Sequence, residues 1–191
     1  MKKLILFMTL LMMFLGATTS FAEEKPQVAV LYVNNAKTTY DADVDSSILN
    51  NLAKCINPQK YVYVNGTPYI EKLKKAGIDD ISMAERADIV EAFSGEGIDY
   101  IVFVEVQPLT RKEKMSFFTY GIDITAIVPF KVIDLVNGKY LYNGKFSEKA
   151  SDSTAFGNLG NKAIALKAIG KINQQIATVL SSRLPAGKIA H

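Results

Sequence analysis

The stretch YGIDITAIVPFKVIDL (120–135), VNG (136–138) and KYLYNGKFSEK (139–149) decides the fold class. Both flanks are rich in β-branched and aromatic residues, as strands are. Asn137-Gly138 between them is the strongest short hairpin signal, because both residues must reach positive φ in a two-residue turn. The reading is two long antiparallel strands closed at Asn137 and Gly138. Pro129 falls inside the first of them and removes one ladder donor, which puts that strand at a sheet edge or bulges it there.

Working outward, QVAVLYV (27–33) is an apolar run of strand length, dense enough for burial on both faces. Residues 44–56 read as a helix with Ile48, Leu49, Leu52 and Ile56 on one side, stopped by Pro58. Residues 61–64 form a short strand. Thr67 is the expected N-cap of the next helix and Pro68 its first residue, with Gly77 as the stop. Ser82-Met83-Ala84-Glu85 has the spacing of a capping box, so another helix is expected from Met83, turning Ala87, Val90, Ala92 and Phe93 to the core. YIVFVEV (100–106) is the third strand, and 110–114 is a charged loop.

Beyond the hairpin, residues 151–161 are a Gly/Ser/Asn-rich connection. A helix over 162–184 carries an apolar stripe of Ala165, Ile169, Ile172, Ile176, Val179 and Leu180. The order is β-α-β-α-α-β-β-β-α. Early β-α alternation demands parallel strands with crossovers, and the hairpin adds an antiparallel edge. The fold class is therefore α/β: a mixed sheet with early parallel β-α units, a C-terminal antiparallel hairpin and a long C-terminal helix.

Lys2 and Lys3, the apolar run 4–15 and the ending Ser20-Phe21-Ala22 have the anatomy of a secretory signal peptide cleaved after Ala22. The expected organisation is a signal peptide at 1–22, a single α/β domain at 23–185 and a flexible tail at 186–191. The apolar run is too short to span a bilayer comfortably, so no stable membrane insertion is expected. No Cys follows it directly, so an exported protein without a lipid anchor is expected, in the periplasm or outside the cell. The single Cys55 allows no internal disulfide and reads as a small core residue at a helix end.

The chain has 22 Lys+Arg and 19 Asp+Glu; without Lys2 and Lys3 the balance is 20 to 19, or +1. That is no footprint for nucleic acid. The catalytic inventory is thin. His191 is the only histidine and the last residue, which leaves no basis for a Ser-His-Asp arrangement or a zinc site. Asp41-Ala42-Asp43-Val44-Asp45 begins like a calcium loop, but Ser46 and Leu52 stand where Gly and Glu are required. These acids suit a helix start instead. Gly95-Glu96-Gly97 reads as a helix stop, and 157–160 lacks the ending of a phosphate loop. Asn65-Gly66-Thr67 matches a glycosylation acceptor but reads as a turn. Glu105, in an apolar strand, has no paired acid and faces solvent at the strand's end. No catalytic residue, metal or cofactor is assigned.

The run RKEKMSFFTY (111–120) is the surface candidate, because basic residues lead into aromatics. Arg111, Phe117 and Phe118 are the expected anchors for a protein partner, with Lys112 and Lys114 aiding encounter. Successive strand side chains alternate, so Phe117 and Phe118 cannot both point inward.

Three segments carry a family resemblance. VAVLYVNN (28–35) resembles an opening "VAVLPFxN" strand, GIDYIV (97–102) a "GADYVI" strand entry, and VIDLVNGKYL (132–141) an "LVDxxTGEVL" hairpin. In this order they resemble the periplasmic α/β domain of the curli-secretion channel and of the lipoprotein activators of peptidoglycan synthases. The amino-terminal domain of the Tol-Pal propeller protein is related in shape. The resemblance covers about residues 27–184 and implies a domain that binds other envelope proteins and does no chemistry. Expected partners are envelope proteins, with outer-membrane and peptidoglycan-synthesis components among them. The lipid-bearing Cys of these families is absent, the channel's membrane-spanning hairpins have no counterpart, and Val104 replaces a usual Gly. The competing readings are a small-ligand or glycan-binding module with a crevice at the ends of the parallel strands, and a hydrolase around Glu105.

Overall fold

The computed structural model describes residues 25–154 and 160–185. The expected leader 1–22, the tail 186–191 and part of the 151–161 connection lie outside them. The order is β1 (Gln27–Asn34), α1 (Asp41–Cys55), β2 (Val62–Asn65), α2 (Thr67–Lys75), α3 (Arg86–Ala92), β3 (Tyr100–Val106), β4 (Thr110–Met115), β5 (Tyr120–Asp134), β6 (Lys139–Thr154) and α4 (Asn161–Arg183). The class is the expected one. β1 lies parallel between β2 and β3, and β5 runs antiparallel to β3, β4 and β6.

β6 pairs along all of β5, so β3 and β4 must share its other side. They form one lane with a slip in it. Val104 faces Phe130 and Thr110 faces Thr125, which is six residues on one strand against five on the other. Pro129 sits opposite that joint, where neither β3 nor β4 pairs with it. β5 is thus an interior strand, contrary to the edge expectation, and its register shift lies at Val132/Ile133 rather than at Pro129. The proline is tolerated because the neighbouring lane is interrupted, so no ladder bond needs its missing N–H.

One face of the sheet lies under α1 and α4. Val28, Val30, Val102, Val104 and the alternate β5 residues Ile122 to Val132 pack there with Val44, Ile48, Leu52, Ile169, Ile172 and Ile176. The other face is covered by α2 and α3 over β1, β3 and the end of β5 that pairs with β3. Ala29, Leu31, Ile101, Phe103 and Ile133 meet Ile70, Leu73, Ile89 and Phe93 there. Burial on both faces explains why β1 and β3 are continuous apolar runs. Burial on one face explains the alternation of buried and half-buried positions in β5 from Ile124 to Phe130.

Four local expectations are corrected. The charged segment from Thr110 is a strand, since its ladder to β5 supplies the backbone bonds while all its side chains remain exposed. The capping box lies at Glu85 and Asp88, and α3 starts at Arg86. An earlier start is blocked because Asp80 captures the Ser82 amide and hydroxyl, while Lys131 Nζ donates to the Ser82 carbonyl at 2.5 Å and the Ala84 carbonyl at 3.2 Å. Ile89 is therefore the buried position within α3, and Phe93, one turn on, is buried at its C-cap; Ala87 is exposed, and Val90 and Ala92 are half-buried. At α2 the cap is Gly66, and Thr67 is already helical. The hairpin turn has four residues between Asp134 and Lys139, not two. Gly138 has φ 55° but Asn137 is not left-handed, because the Asp134 carboxylate accepts bonds from its amide (2.9 Å) and side chain (2.7 Å).

Candidate functional site

Beyond α2 and α3 the sheet continues as a three-stranded finger of β4 and the facing parts of β5 and β6. Its end is the β4–β5 connection, Ser116-Phe117-Phe118-Thr119. The Ser116 amide donates to the Thr119 carbonyl at 2.9 Å, and the Thr119 amide donates to Ser116 Oγ at 3.1 Å. The two hydroxyls lie 2.7 Å apart. The turn is thus closed by its own polar groups and needs nothing from its aromatic side chains.

Those side chains are free. Phe117 is 99% exposed, Phe118 85% and Met115 82%. The two rings lie 6.3 Å apart, tilted by 47°. Alternation required at least one exposed ring; both are, because the turn lifts them off the sheet. Single exposed apolar residues are ordinary; here three stand exposed together at one tip.

The basic residues divide between the two faces. Lys114 reaches Asp123 at 2.6 Å, and Lys149 reaches it from the other side at 3.4 Å. Lys112 stands opposite Asp123 in register and shares that face. Hydrogen bonds from Lys114 and Ser151, with the charges of both lysines, hold the Asp123 carboxyl down at about 2. Beside it opens a polar cleft of about 510 Å³, lined by Lys114, Ser116, Thr119, Asp123, Ser151 and Ser153.

Arg111 points to the opposite face. Its guanidinium pairs with Glu113 and donates to Tyr120 Oη at 2.9 Å and to Asn161 Oδ1, at the start of α4, at 3.1 Å. The Glu113 bond raises the Arg111 pKa and, reciprocally, lowers that of Glu113. Arg111 therefore braces the finger against α4, and the five sequence candidates form no single patch. Phe117 and Phe118 make the tip, Lys112 and Lys114 one flank, and Arg111 the other. Met115 was missed, although it directly precedes the tip in sequence.

The other sequence candidates are tied into the fold. Glu105 accepts a bond from Asn35 Nδ2 at 3.0 Å. Asp41 accepts from the Thr38 amide and hydroxyl, Asp43 pairs with Lys162, and Asp45 accepts from Tyr32 and Asn34. Several groups at the carboxyl end of β1, where a ligand crevice was considered, are therefore bonded to one another. Cys55 ends α1 half-buried, and burial pushes its thiol pKa up. Among the described residues, no group of three or more His, Cys, Asp or Glu is placed to hold a metal ion, and no helix is long and apolar enough to cross a membrane. Lys131, unnoticed in the sequence, lies at 7% exposure beside a shallow cleft of about 530 Å³. Burial lowers its pKa, and its ammonium stands 5.9 Å from the centre of the Phe103 ring.

No protein-family model matches the chain, and no curated protein sequence matches it. Among solved structures, the chain is similar to the hypothetical protein CT253 from Chlamydia trachomatis, at 14% identity and a TM-score of 0.52, over 83% of this chain and 99% of that one. It is distantly similar to lipoprotein GNA1162 from Neisseria meningitidis, at 15% identity and a TM-score of 0.39, over 80% and 99% of the two chains. The LpoB C-terminal domain from Salmonella enterica aligns at 11% identity and a TM-score of 0.34, over 67% and 85%. The likeness to CT253 is one of fold.

Proposed function

We propose that this chain is an exported, non-enzymatic protein of the cell envelope that supports assembly or regulation of an envelope machine through protein contacts. The carrying observation is the tip: Phe117 and Phe118, almost wholly exposed, on a turn that closes without them. Aromatic side chains held on a rigid element are the usual energetic centre of a protein interface. Export rests on the sequence of residues 1–22, which also supports a mature start at Glu23. The thin catalytic inventory supports binding over chemistry.

The test places a photo-crosslinking amino acid at Phe117 in the chain expressed in its own envelope. Discrete protein adducts are expected, and Phe118→Ala should reduce them strongly while the thermal midpoint stays put. An absence of protein adducts would overturn the reading. Intact mass of the exported chain tests the processing site independently; retention of 1–22 would reject it.

A further inference from the structure

We propose that the outer edge of β4 accepts an extended acidic segment of a partner protein as an added strand beside the aromatic tip. This rests on the protein-contact reading and names the partner's chemistry at the same site.

The topology leaves a place for such a strand. Pairing of β1 with β3 ends at Asn34 and Val106. β4 continues the lane of β3 for six residues and, among the described residues, pairs only with β5. Among the described residues, no strand therefore pairs with the outer side of β4, in line with β1.

The backbone is set to fill it. The Ser116 amide faces β5, since it bonds the Thr119 carbonyl. Antiparallel pairing alternates, so the groups of Thr110, Lys112 and Lys114 also face β5. Those of Arg111, Glu113 and Met115 face outward. Among the described residues they have no strand partner, and they present a row of donors and acceptors about 14 Å long, the template that strand addition uses.

Charge selects the occupant. β4 carries Arg111, Lys112 and Lys114 against Glu113 alone, and Lys112 has no ion pair among the described residues. An acidic strand complements this edge. A second copy does not: antiparallel self-pairing centred on Glu113 sets Lys112 of one copy opposite Lys114 of the other, twice, and like charges directly opposite repel. A bilayer would leave the outward amides unsatisfied. Charges along an edge also discourage indiscriminate pairing.

The test begins with amide exchange by NMR on the purified exported chain. The amides of Arg111, Glu113 and Met115 should exchange fast, and those of Lys112 and Lys114 slowly. Random twelve-residue peptides displayed on phage are then selected on the protein. Enriched sequences should carry Asp or Glu among β-prone residues, and a bound peptide should slow exchange at Glu113 and Met115. Glu113→Pro removes an outward donor but no β5 ladder bond, and should weaken binding about tenfold. Glu113→Gln should keep most of it, and Lys112→Glu should cancel the acidic preference.

Selection that yields no acidic pattern, or binders indifferent to both Glu113→Pro and Lys112→Glu, would overturn the proposal. If Glu113→Pro does not fold, Lys112→Glu and the exchange pattern decide alone. Protection of β4 that rises with protein concentration without peptide would assign the edge to a second copy instead. Sedimentation with phosphatidylglycerol vesicles, unaffected by peptide, would assign it to a bilayer. In the envelope, Phe117 adducts that survive Glu113→Pro would reject strand addition and leave the protein-contact reading standing. No protein adduct at all would reject both.

Discussion

The two ends of the sheet obey different rules. Around β1 and β3 both faces are roofed by helices, and a side chain is chosen for its volume. In the β4–β5–β6 finger only the face toward α4 is roofed; the other face carries mainly polar and charged side chains, and the tip exposes apolar ones. The same residue type therefore has opposite meanings within one strand pair. Phe130 is fully buried and touches the Tyr142 and Phe146 rings at 5.7 and 5.5 Å, whereas Phe117 touches little but its neighbour Phe118.

The sharpest way to break this contrast is to truncate both kinds of phenylalanine. Phe130→Ala should cost about 3–5 kcal/mol, because the emptied space beneath α4 cannot collapse fully. Phe117→Ala and Phe118→Ala should each stay within about 0.5 kcal/mol of the parent. Urea denaturation read by far-UV circular dichroism measures both. A large loss at the tip would mean that the rings pack against something in the folded chain, and the binding role would lose its basis.

Much of this division was legible in the sequence. β3 was bounded correctly because burial on both faces leaves an uninterrupted apolar run, and β1 needed only one more residue. The exposed aromatic tip followed in part from alternation alone. β4 was not legible, because a strand with every side chain exposed has no apolar period; only its ladder to β5 makes it a strand. The start of α3 was hidden for a different reason. The Lys131 ammonium that takes the Ser82 and Ala84 carbonyls comes from 47 to 49 residues away. The split of Arg111 from Lys112 and Lys114 was equally hidden, since faces cannot be assigned to a segment read as loop.

Glycines sharpen the comparison at intermediate size. In the roofed half, a Cβ on Gly66 would lie 2.3 Å from the Val30 carbonyl oxygen and 2.6 Å from its carbon. Both are backbone atoms of a buried central strand and cannot yield. Gly66→Ala should destabilise the fold by about 1–3 kcal/mol through overpacking. At the β5–β6 turn, Gly138 has open space around it and is constrained only by its φ of 55°. Gly138→Val should cost about 1–2 kcal/mol from left-handed strain, and Gly138→Asn less, because Asn tolerates that region. Equal costs for Val and Asn at 138 would show that strain is not the cause. A neutral Gly66→Ala would show that β1 and the start of α2 are not packed as closely as the geometry requires.

The smallest expected effect separates the finger from the rest by pH. Asp123 lies between Lys114 and Lys149, and its carboxyl is held at about 2, chiefly by the Lys114 bond and then by Ser151. In the unfolded chain it returns to about 4. A depressed carboxylate stabilises the fold fully above the unfolded value, and that contribution fades as pH falls through the folded one. The finger should therefore loosen between about pH 4 and 2, while the roofed half, where the Asp80 carboxyl is held low by its own bond from Ser82, responds less to Asp123. Lys114→Ala removes the largest cause, so the Asp123 carboxyl should titrate higher and the acid-dependent loss should shrink. Carboxyl chemical shifts of Asp123 followed from pH 6 to the acid limit, alongside β4 and β1 amide exchange, measure this directly. An Asp123 titration near the ordinary value in the parent, or one unmoved by Lys114→Ala, would show that solvent already screens the clamp. The finger would then be held by its ladder, by the Arg111 brace and by the core beneath α4 alone.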